Sequence, residues 1–156
     1  MDTSAHLEYI KNLFLKQTKP QALQLICAYL KNNFAHYDWV GFYFHHKTEP
    51  KLILKAFAGE PTEHTEIPFG KGICGQVAES DKNFRVDDVN TQNNYIACNI
   101  YTKSELVMPI FINGENIGQI DIDSHQKNAF SSKDEAFLQE VNKIVADNIT
   151  LKALNV

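Results

Sequence analysis

The segment between residues 105 and 123 constrains the fold more than any other part of the sequence. Two strand-like segments, the largely apolar 105–112 and the alternating 115–123, are separated by the dipeptide Asn113-Gly114. Asn-Gly between two such segments is the strongest short-range signal for a β-hairpin, because both residues tolerate the positive φ angles of the turn. The chain therefore contains antiparallel sheet, in which successive side chains point to opposite faces.

Further strands and helices surround this hairpin, each indicated by the spacing of its apolar residues. We expect helices over 4–16 and 20–34, paired antiparallel strands over 39–44 and 52–57, a short strand near Ile67 and a short helix ending near Ser80. The capping-box pattern Ser132-x-x-Glu135 predicts a last helix over 132–154.

The order of these elements indicates the fold class. Strands grouped between helices, rather than alternating with them, predict an α+β fold with an antiparallel sheet. The 156 residues suffice for one domain. We expect its N-terminal helices in 1–36, its sheet and pocket loops in 38–124, and its C-terminal helix in 132–154.

Composition excludes several classes of function. The net charge is −4, and no run of Lys or Arg is dense enough to follow a nucleic-acid backbone. No stretch has the pattern of a signal peptide or the length of a membrane span, so we expect a cytoplasmic protein without a membrane partner. Cys27, Cys74 and Cys98 stand at unrelated spacings, which in a reducing compartment indicates thiols and at most a transient disulfide.

Two acidic residues lie on one face of the second hairpin strand. Strand alternation places Ile120 and Ile122 on one face, and Gln119, Asp121 and Asp123 on the other. The two carboxylates are then roughly 6–7 Å apart along the strand. Because acids are depleted from strands, this pattern favours a binding site over a sheet face open to water, which remains the alternative.

The register of the hairpin decides whether Glu105 joins these acids. A two-residue loop places Glu105 opposite Ile122, on the wrong face. A three-residue loop with Gly114 in the left-handed conformation pairs Glu105 with Asp121, and a bulge at Pro109 has the same effect. We expect one of the latter two arrangements.

The segment Gly70-Lys-Gly-Ile-Cys-Gly75 matches the dinucleotide-binding fingerprint, but its context does not fit. Pro68 interrupts the preceding strand and the following helix is short, whereas the fingerprint needs a buried parallel strand and a full crossover helix. Cys74 lies near the start of that helix, where the helix dipole would lower the pKa of a thiol. Cys27, on the apolar face of its helix, is interpreted as a small buried hydrophobe.

Aromatic residues and a long polar loop complete the candidate site. Trp39, Gly41 and Tyr43 share one face of their strand, so the two aromatic rings flank a gap that could hold an apolar side chain. Ordinary core packing explains the same pattern. Residues 88–103 form a polar stretch without periodicity, and loops of this length in compact domains are usually functional.

Seven short motifs occur in a characteristic order and spacing. They are Trp39-Val-Gly-Phe-Tyr43, Ile67-Pro-Phe-Gly-Lys-Gly-Ile-Cys-Gly75, Asp88-Val89, Ile96-Ala-Cys98, Lys103-Ser-Glu105, Pro109-Ile110 and Ile117-Gly-Gln-Ile-Asp-Ile-Asp-Ser124. Together they resemble the GAF-domain free methionine-(R)-sulfoxide reductases, from about residue 38 to the end. The resemblance implies a six-stranded antiparallel sheet with helices on one face, a pocket on the other closed by the 88–103 loop, and a homodimer.

The resemblance also implies a reaction, the reduction of free L-methionine-(R)-sulfoxide to methionine. Cys98 would attack the sulfoxide sulfur, and Glu105, Asp121 and Asp123 would bind and protonate the substrate. The chemistry is coherent because that sulfur is electrophilic only once its oxygen is hydrogen-bonded or protonated. Crowded carboxylates raise each other's pKa, which keeps one of them protonated, and the remaining charge suits an ammonium group.

Further implied residues line the substrate. Trp39 and Tyr43 would enclose the S-methyl end, and Tyr95, Ile96 and Ala97 of the loop would contact the rest. The resemblance implies no bound cofactor and no metal, with a thioredoxin-type dithiol as the reductant.

The chain departs from the family pattern at two places. Family members usually carry a resolving cysteine where this chain has His64, and Gly-His-Ile-Ala-Cys-Asp where it has Asn94-Tyr-Ile-Ala-Cys-Asn99. We therefore expect Cys74 to take over the resolution of a Cys98 sulfenic acid through a disulfide, an external thiol being the alternative. Two other functions stay open: a GAF sensor that binds a small molecule without turnover, and a metal site of His64, Cys74 and Cys98, which lacks a ligand pair at short spacing.

Overall fold

The computed structural model describes residues 2–93, 95 and 100–156. Its strands are β1 (Trp39–His45), β2 (Lys51–Ala58), β3 (Glu66–Pro68), β4 (Phe84–Val86), β5 (Ser104–Ile112) and β6 (Glu115–Ser124). Its helices are α1 (Ser4–Lys16), α2 (Lys19–Asn33), α3 (Gly72–Ser80), α4 (Ser132–Asn148) and α5 (Leu151–Leu154). The strands form a six-stranded sheet in the order β3-β2-β1-β6-β5-β4, with every neighbouring pair antiparallel, as expected.

The two faces of the sheet bury different cores. Helices α2 and α4 cover one face, with α1 packed against both helices, and Phe42, Ile120 and Ile122 of this face belong to the larger apolar cluster. Helix α3 packs on the opposite face, where Tyr43, Val107 and its own residues form a second cluster. The alternation predicted for β6 is therefore confirmed: its isoleucines face the large core, and its acidic residues face the side that carries α3.

Local signals account for the ends of the long helices. Thr18 caps α2 by accepting a hydrogen bond from the backbone amide of Gln21. The capping box of α4 begins at Ser131 and uses Asp134, one residue before the predicted Ser132 pattern. The predicted helix 132–154 is also two helices, because the backbone is extended at Ile149 and Thr150 caps α5.

Asp134 has a second role beyond this cap. Its Oδ1 accepts a hydrogen bond from the hydroxyl of Tyr37 at 2.7 Å and lies 2.8 Å from Nε2 of His36. This carboxylate thereby joins the start of α4 to the segment before β1. None of the helices in the described part of the chain has the length and apolarity of a transmembrane span.

The hairpin of β5 and β6 has a two-residue turn and a bulge. Ile112 pairs with Glu115 across Asn113-Gly114, both of which have positive φ. The register then shifts by one residue between Ile110 and Phe111. A bulge of one residue shifts the pairing of the two strands by one position. Beyond the bulge, Glu105 of β5 therefore lies on the same face of the sheet as Asp121 and Asp123 of β6.

The bulge corrects the predicted pairing. It lies beside Ile110 and Phe111 rather than at Pro109, and the loop is not the three-residue form. Glu105 consequently lies opposite Asp123, not opposite Asp121. The expectation that Glu105 shares the face of both aspartates holds, although the register shifts in the other direction.

Candidate active site

Three carboxyl groups meet on the face of the sheet that carries α3. Glu105 of β5 pairs with Asp123 of β6, and Asp121 lies two residues before Asp123, between Gly41 of β1 and Val107 of β5. Their exposed fractions are 3%, 0% and 1% for Glu105, Asp121 and Asp123. Three acidic side chains are thus buried together on one face of the sheet.

Burial and mutual repulsion change the protonation of these acids. Burial raises the pKa of Glu105 well above its usual range, and the neighbouring charges of Asp121 and Asp123 raise it further. Burial also raises the pKa of Asp121. One carboxyl oxygen of Glu105 lies within 4.8 Å of one of Asp121, and the raised pKa of both groups favours a proton on this pair. A carboxylic acid kept neutral in this way can donate a proton.

Helix α3 places a thiol directly over this acid pair. Cys74 is the third residue of α3, and its Sγ lies 3.3 Å from Oδ2 of Asp121 and 3.8 Å from Oε1 of Glu105. The thiol donates a hydrogen bond to these carboxyl oxygens. The expectation that the helix start alone activates Cys74 is incomplete, because two acids beside the sulfur oppose negative charge on it.

The glycine-rich segment before Cys74 is a tight turn. The amide of Gly70 donates to the carbonyl of Gly75 at 2.9 Å, and Gly70 and Gly72 have φ of 84° and 61°. A Cβ at Gly75 would lie 2.7 Å from the carbonyl oxygen of Pro68. The turn joins β3, an antiparallel edge strand, to a helix of nine residues. A dinucleotide-binding fingerprint needs a buried parallel strand and a full crossover helix, so the segment does not form one, as predicted.

Trp39 and Tyr43 lie on the same face and are almost fully buried. A Cβ at Gly41 would lie 2.3 Å from Cη2 of Trp39, so the indole covers this glycine. The gap expected between the two aromatic residues is therefore filled by Trp39 itself. The indole Nε1–H donates to the carbonyl of Glu60 at 3.0 Å, and the hydroxyl of Tyr43 donates to the carbonyl of His64 at 2.9 Å.

The structure describes only part of the 88–103 loop. Residues 94 and 96–99 lie outside the described residues, and with them the predicted site residues Ile96, Ala97 and Cys98. Tyr95 is partly buried against the apolar cluster that contains Trp39. Burial raises the pKa of Tyr95, and the charges of Glu105 and Asp123 raise it further. Tyr95 is therefore within electrostatic range of the acid cluster.

A small cavity adjoins the thiol and the acids. Its volume is about 10 Å³, and its walls include His64, Lys71, Cys74 and Glu105. That volume is room for about one water molecule, too small for an amino acid. Lys71 is the N-cap residue of α3 and so lies close to Cys74 in the chain, whereas the loop between β2 and β3 brings His64 to the cavity.

One group of described residues has the spacing of metal ligands. A donor atom from each of Cys74, Glu105 and Asp121 lies within 4.8 Å of the other two. The alternative metal site of His64, Cys74 and Cys98 includes a residue outside the described part of the chain.

Comparison with known proteins places this geometry in a family. The family model described as "GAF domain" matches residues 16–150. The free methionine-R-sulfoxide reductase of Escherichia coli is 32% identical over 73% of this chain and 67% of its own length.

Solved structures agree with the sequence comparison. The type II free methionine-R-sulfoxide reductase of Thermoplasma acidophilum is 40% identical, with a TM-score of 0.79 over 88% of this chain and 93% of that chain. The enzyme of Neisseria meningitidis, solved in complex with its substrate, is 33% identical, with a TM-score of 0.86 over 96% and 87%. The chain therefore belongs to the GAF-domain free methionine-R-sulfoxide reductases, a family of oxidoreductases.

Proposed function

We propose that this protein reduces free L-methionine-(R)-sulfoxide to methionine, with Cys98 as the nucleophile. The observation that carries the proposal is the buried cluster of Glu105, Asp121 and Asp123, which holds a proton and negative charge together. A sulfoxide oxygen needs the proton, and the ammonium group of a free amino acid needs the charge. A methionine within a peptide lacks that ammonium group.

In the first step the acid cluster activates the sulfoxide. The carboxyl that retains a proton donates it to the sulfoxide oxygen, while the Cys98 thiolate attacks the sulfur. The S–O bond breaks, the oxygen is transferred to Cys98 as a sulfenic acid, and methionine leaves. The sulfoxide is reduced by two electrons and Cys98 is oxidised by two.

In the second step Cys74 resolves the sulfenic acid. Its thiol displaces the oxygen of Cys98 as water and forms a disulfide, which a thioredoxin-type dithiol then reduces. Two observations support this role: Cys74 lies against the same acids that would act in the first step, and His64 stands at the usual position of the resolving cysteine. The proton that the Cys74 thiol loses leaves in that water molecule, and the carboxylate that acted in the first step takes a new proton from solvent.

The aromatic residues and the loop complete the proposed pocket. Trp39 and Tyr43 form an apolar wall beside the acids and suit the S-methyl group. Tyr95 lies in the electrostatic range of Glu105, and we assign it, with Ile96 and Ala97, to substrate contact. The protein then works as a homodimer without a bound cofactor.

Turnover of the separate epimers of methionine sulfoxide tests the proposal. The wild-type protein should reduce the R epimer and leave the S epimer nearly untouched, because a pocket that fixes both ends of the substrate leaves one direction for the oxygen. Cys98→Ser should abolish reduction while substrate still raises the thermal unfolding midpoint, since a hydroxyl is scarcely ionised at neutral pH. Cys27→Ala is the matched control, because Cys27 is fully buried in the large core.

A sensor that binds a small molecule without turnover is the second candidate function. The absence of a cysteine at the position of His64 favours it. If methionine sulfoxide and methionine stabilise the wild type equally and no methionine forms in a single turnover, the sensor replaces the reductase.

A further inference from the structure

Three different elements bring a sulfur and two carboxyl oxygens together. Cys74 comes from α3, Glu105 from β5 and Asp121 from β6. Sγ lies 3.3 Å from the oxygen of Asp121 and 3.8 Å from that of Glu105, and all three donor atoms lie within 4.8 Å of one another. All three side chains are buried, with exposed fractions of 5%, 3% and 0% for Cys74, Glu105 and Asp121.

These separations match those of ligands around zinc. A Zn–S bond is about 2.3 Å and a Zn–O bond about 2.0–2.2 Å, so a tetrahedral angle puts the sulfur and an oxygen about 3.5 Å apart. The two measured separations lie on either side of that value. The donors therefore need only small shifts to bind the ion.

Two further observations point to a ligand at this place. Oδ1 of Asp121 is buried and has no hydrogen-bond partner among the described residues, an arrangement that costs free energy unless another group binds it. The cavity of about 10 Å³ beside Cys74 and Glu105 can hold a single water molecule. A water there supplies the fourth position of a zinc site with three protein ligands.

The chemistry of the donors selects the metal. A thiolate is a soft ligand and excludes Mg²⁺ and Ca²⁺, whereas a set of one thiolate and two carboxylates suits Zn²⁺. The ion also takes the place of the proton on this buried acid pair and balances the charge of both carboxylates. Lys71 also lies at the cavity wall.

We propose that the reduced protein captures one Zn²⁺ ion on Cys74, Glu105 and Asp121, and that this ion is an inhibitor of the reductase rather than its cofactor. Binding releases the thiol proton of Cys74 and the proton shared by the two carboxyls. The acids then have no proton to donate to a sulfoxide, and the sulfur of Cys74 is no longer available to a sulfenic acid. A disulfide at Cys74 removes the thiolate ligand, so oxidation of the protein expels the ion. The inhibition rests on the proposed function; the binding does not.

Competition with a chromophoric zinc chelator measures the binding directly. The reduced protein, stripped of metal, should take up one equivalent of Zn²⁺, and Co²⁺ in its place should give the charge-transfer absorption of a thiolate ligand. Cys74→Ser should abolish that absorption. Asp121→Asn should weaken zinc binding by at least about tenfold, since even the loss of a group behind a ligand costs that much.

Two control variants separate this site from other thiols. Cys27→Ala should bind zinc as the wild type does, and so should Cys98→Ser, which has no nucleophile. The proposal is overturned if Cys74→Ser binds zinc as tightly as the wild type, or if Cys98→Ser loses the cobalt absorption. Circular dichroism of each variant checks that it is folded, and Glu105→Gln replaces Asp121→Asn if the latter is not.

The inhibition has its own test. Zinc should suppress turnover of wild-type protein, and a chelator should restore it. A protein that binds zinc on these residues and has no reductase activity at any zinc concentration refutes the proposed function and the inhibition, while the binding site stands. A protein that turns over unchanged with its site full of zinc refutes the inhibition alone.

Discussion

The raised pKa of Glu105 makes folding stability depend on pH in an unusual direction. Because the folded protein holds the Glu105 proton more tightly than the unfolded chain does, the folded state binds more protons between the ordinary glutamate pKa and the raised one. The free energy of unfolding therefore falls as pH rises through that window. Where the difference amounts to a whole proton, the slope is about 1.4 kcal/mol per pH unit. Below the ordinary pKa of glutamate, Glu105 is protonated in both the folded and the unfolded state, so it no longer makes stability depend on pH.

Glu105→Gln removes this dependence while keeping the size of the side chain. The variant should gain stability relative to wild type as pH rises, by up to about 1.4 kcal/mol for each unit. Urea denaturation at one-unit intervals from about pH 5 to about pH 8 measures the difference. Burial lowers the pKa of His45, which lowers stability on acidification instead. The contribution of His45 is the same in the wild type and in Glu105→Gln, so it cancels in the difference between their free energies of unfolding.

Glu63→Gln is the matched control, because Glu63 is exposed on the loop between β2 and β3. Its stability should follow the wild type at every pH. Stability curves of Glu105→Gln and wild type that run parallel over the whole range would show that Glu105 is ionised in the folded protein. The proton assigned to the acid cluster would then not be on Glu105.

Three further predictions concern the remaining parts of the site. Asp123→Asn should lower turnover of methionine-(R)-sulfoxide by about 100-fold or more and leave the free energy of unfolding unchanged or raised, since it removes like-charge crowding; a variant that only folds less well, with normal activity per folded molecule, makes the residue structural. Gly41→Ala should destabilise the protein by about 1–3 kcal/mol in urea denaturation, because its methyl group must displace the Trp39 indole; an unchanged stability would show that the indole moves freely. Cys74→Ser should release about one methionine per site and then stall with thioredoxin, whereas dithiothreitol should restore cycling; normal cycling with thioredoxin would assign resolution to an external thiol.

Strand alternation was sufficient to predict which acids share a face, but not the register that joins them. The face of Asp121 and Asp123 follows from the period of two within β6. The position of Glu105 depends on the bulge, and Asn116 lies on β6 at the point where the register shifts. Oδ1 of Asn116 accepts from the amide of Gly118, and its Nδ2 donates to Asp81, at the end of α3. The contact with Asp81 joins residues far apart in the chain, and such a contact leaves no local pattern in the sequence.

The candidate site shows the same division. Cys74 was singled out because of its helix start, a local feature, but its contact with the acids depends on how α3 packs on the sheet. The gap between Trp39 and Tyr43 follows from alternation, yet only side-chain packing shows that the indole fills it. Local periodicity thus predicts faces and helix ends, while tertiary packing decides which groups touch.

The position of Trp39 gives the protein an intrinsic optical probe. It is the single tryptophan of the chain. Trp39 pairs with Asp123 of the neighbouring strand, and its Nε1–H donates a hydrogen bond to the carbonyl of Glu60, in the loop between β2 and β3. Indole emission responds to the polarity and the charge around the ring. Fluorescence of the unlabelled protein therefore reports when the neighbouring acids lose their charge, when the pocket fills, and when the loop that carries His64 moves.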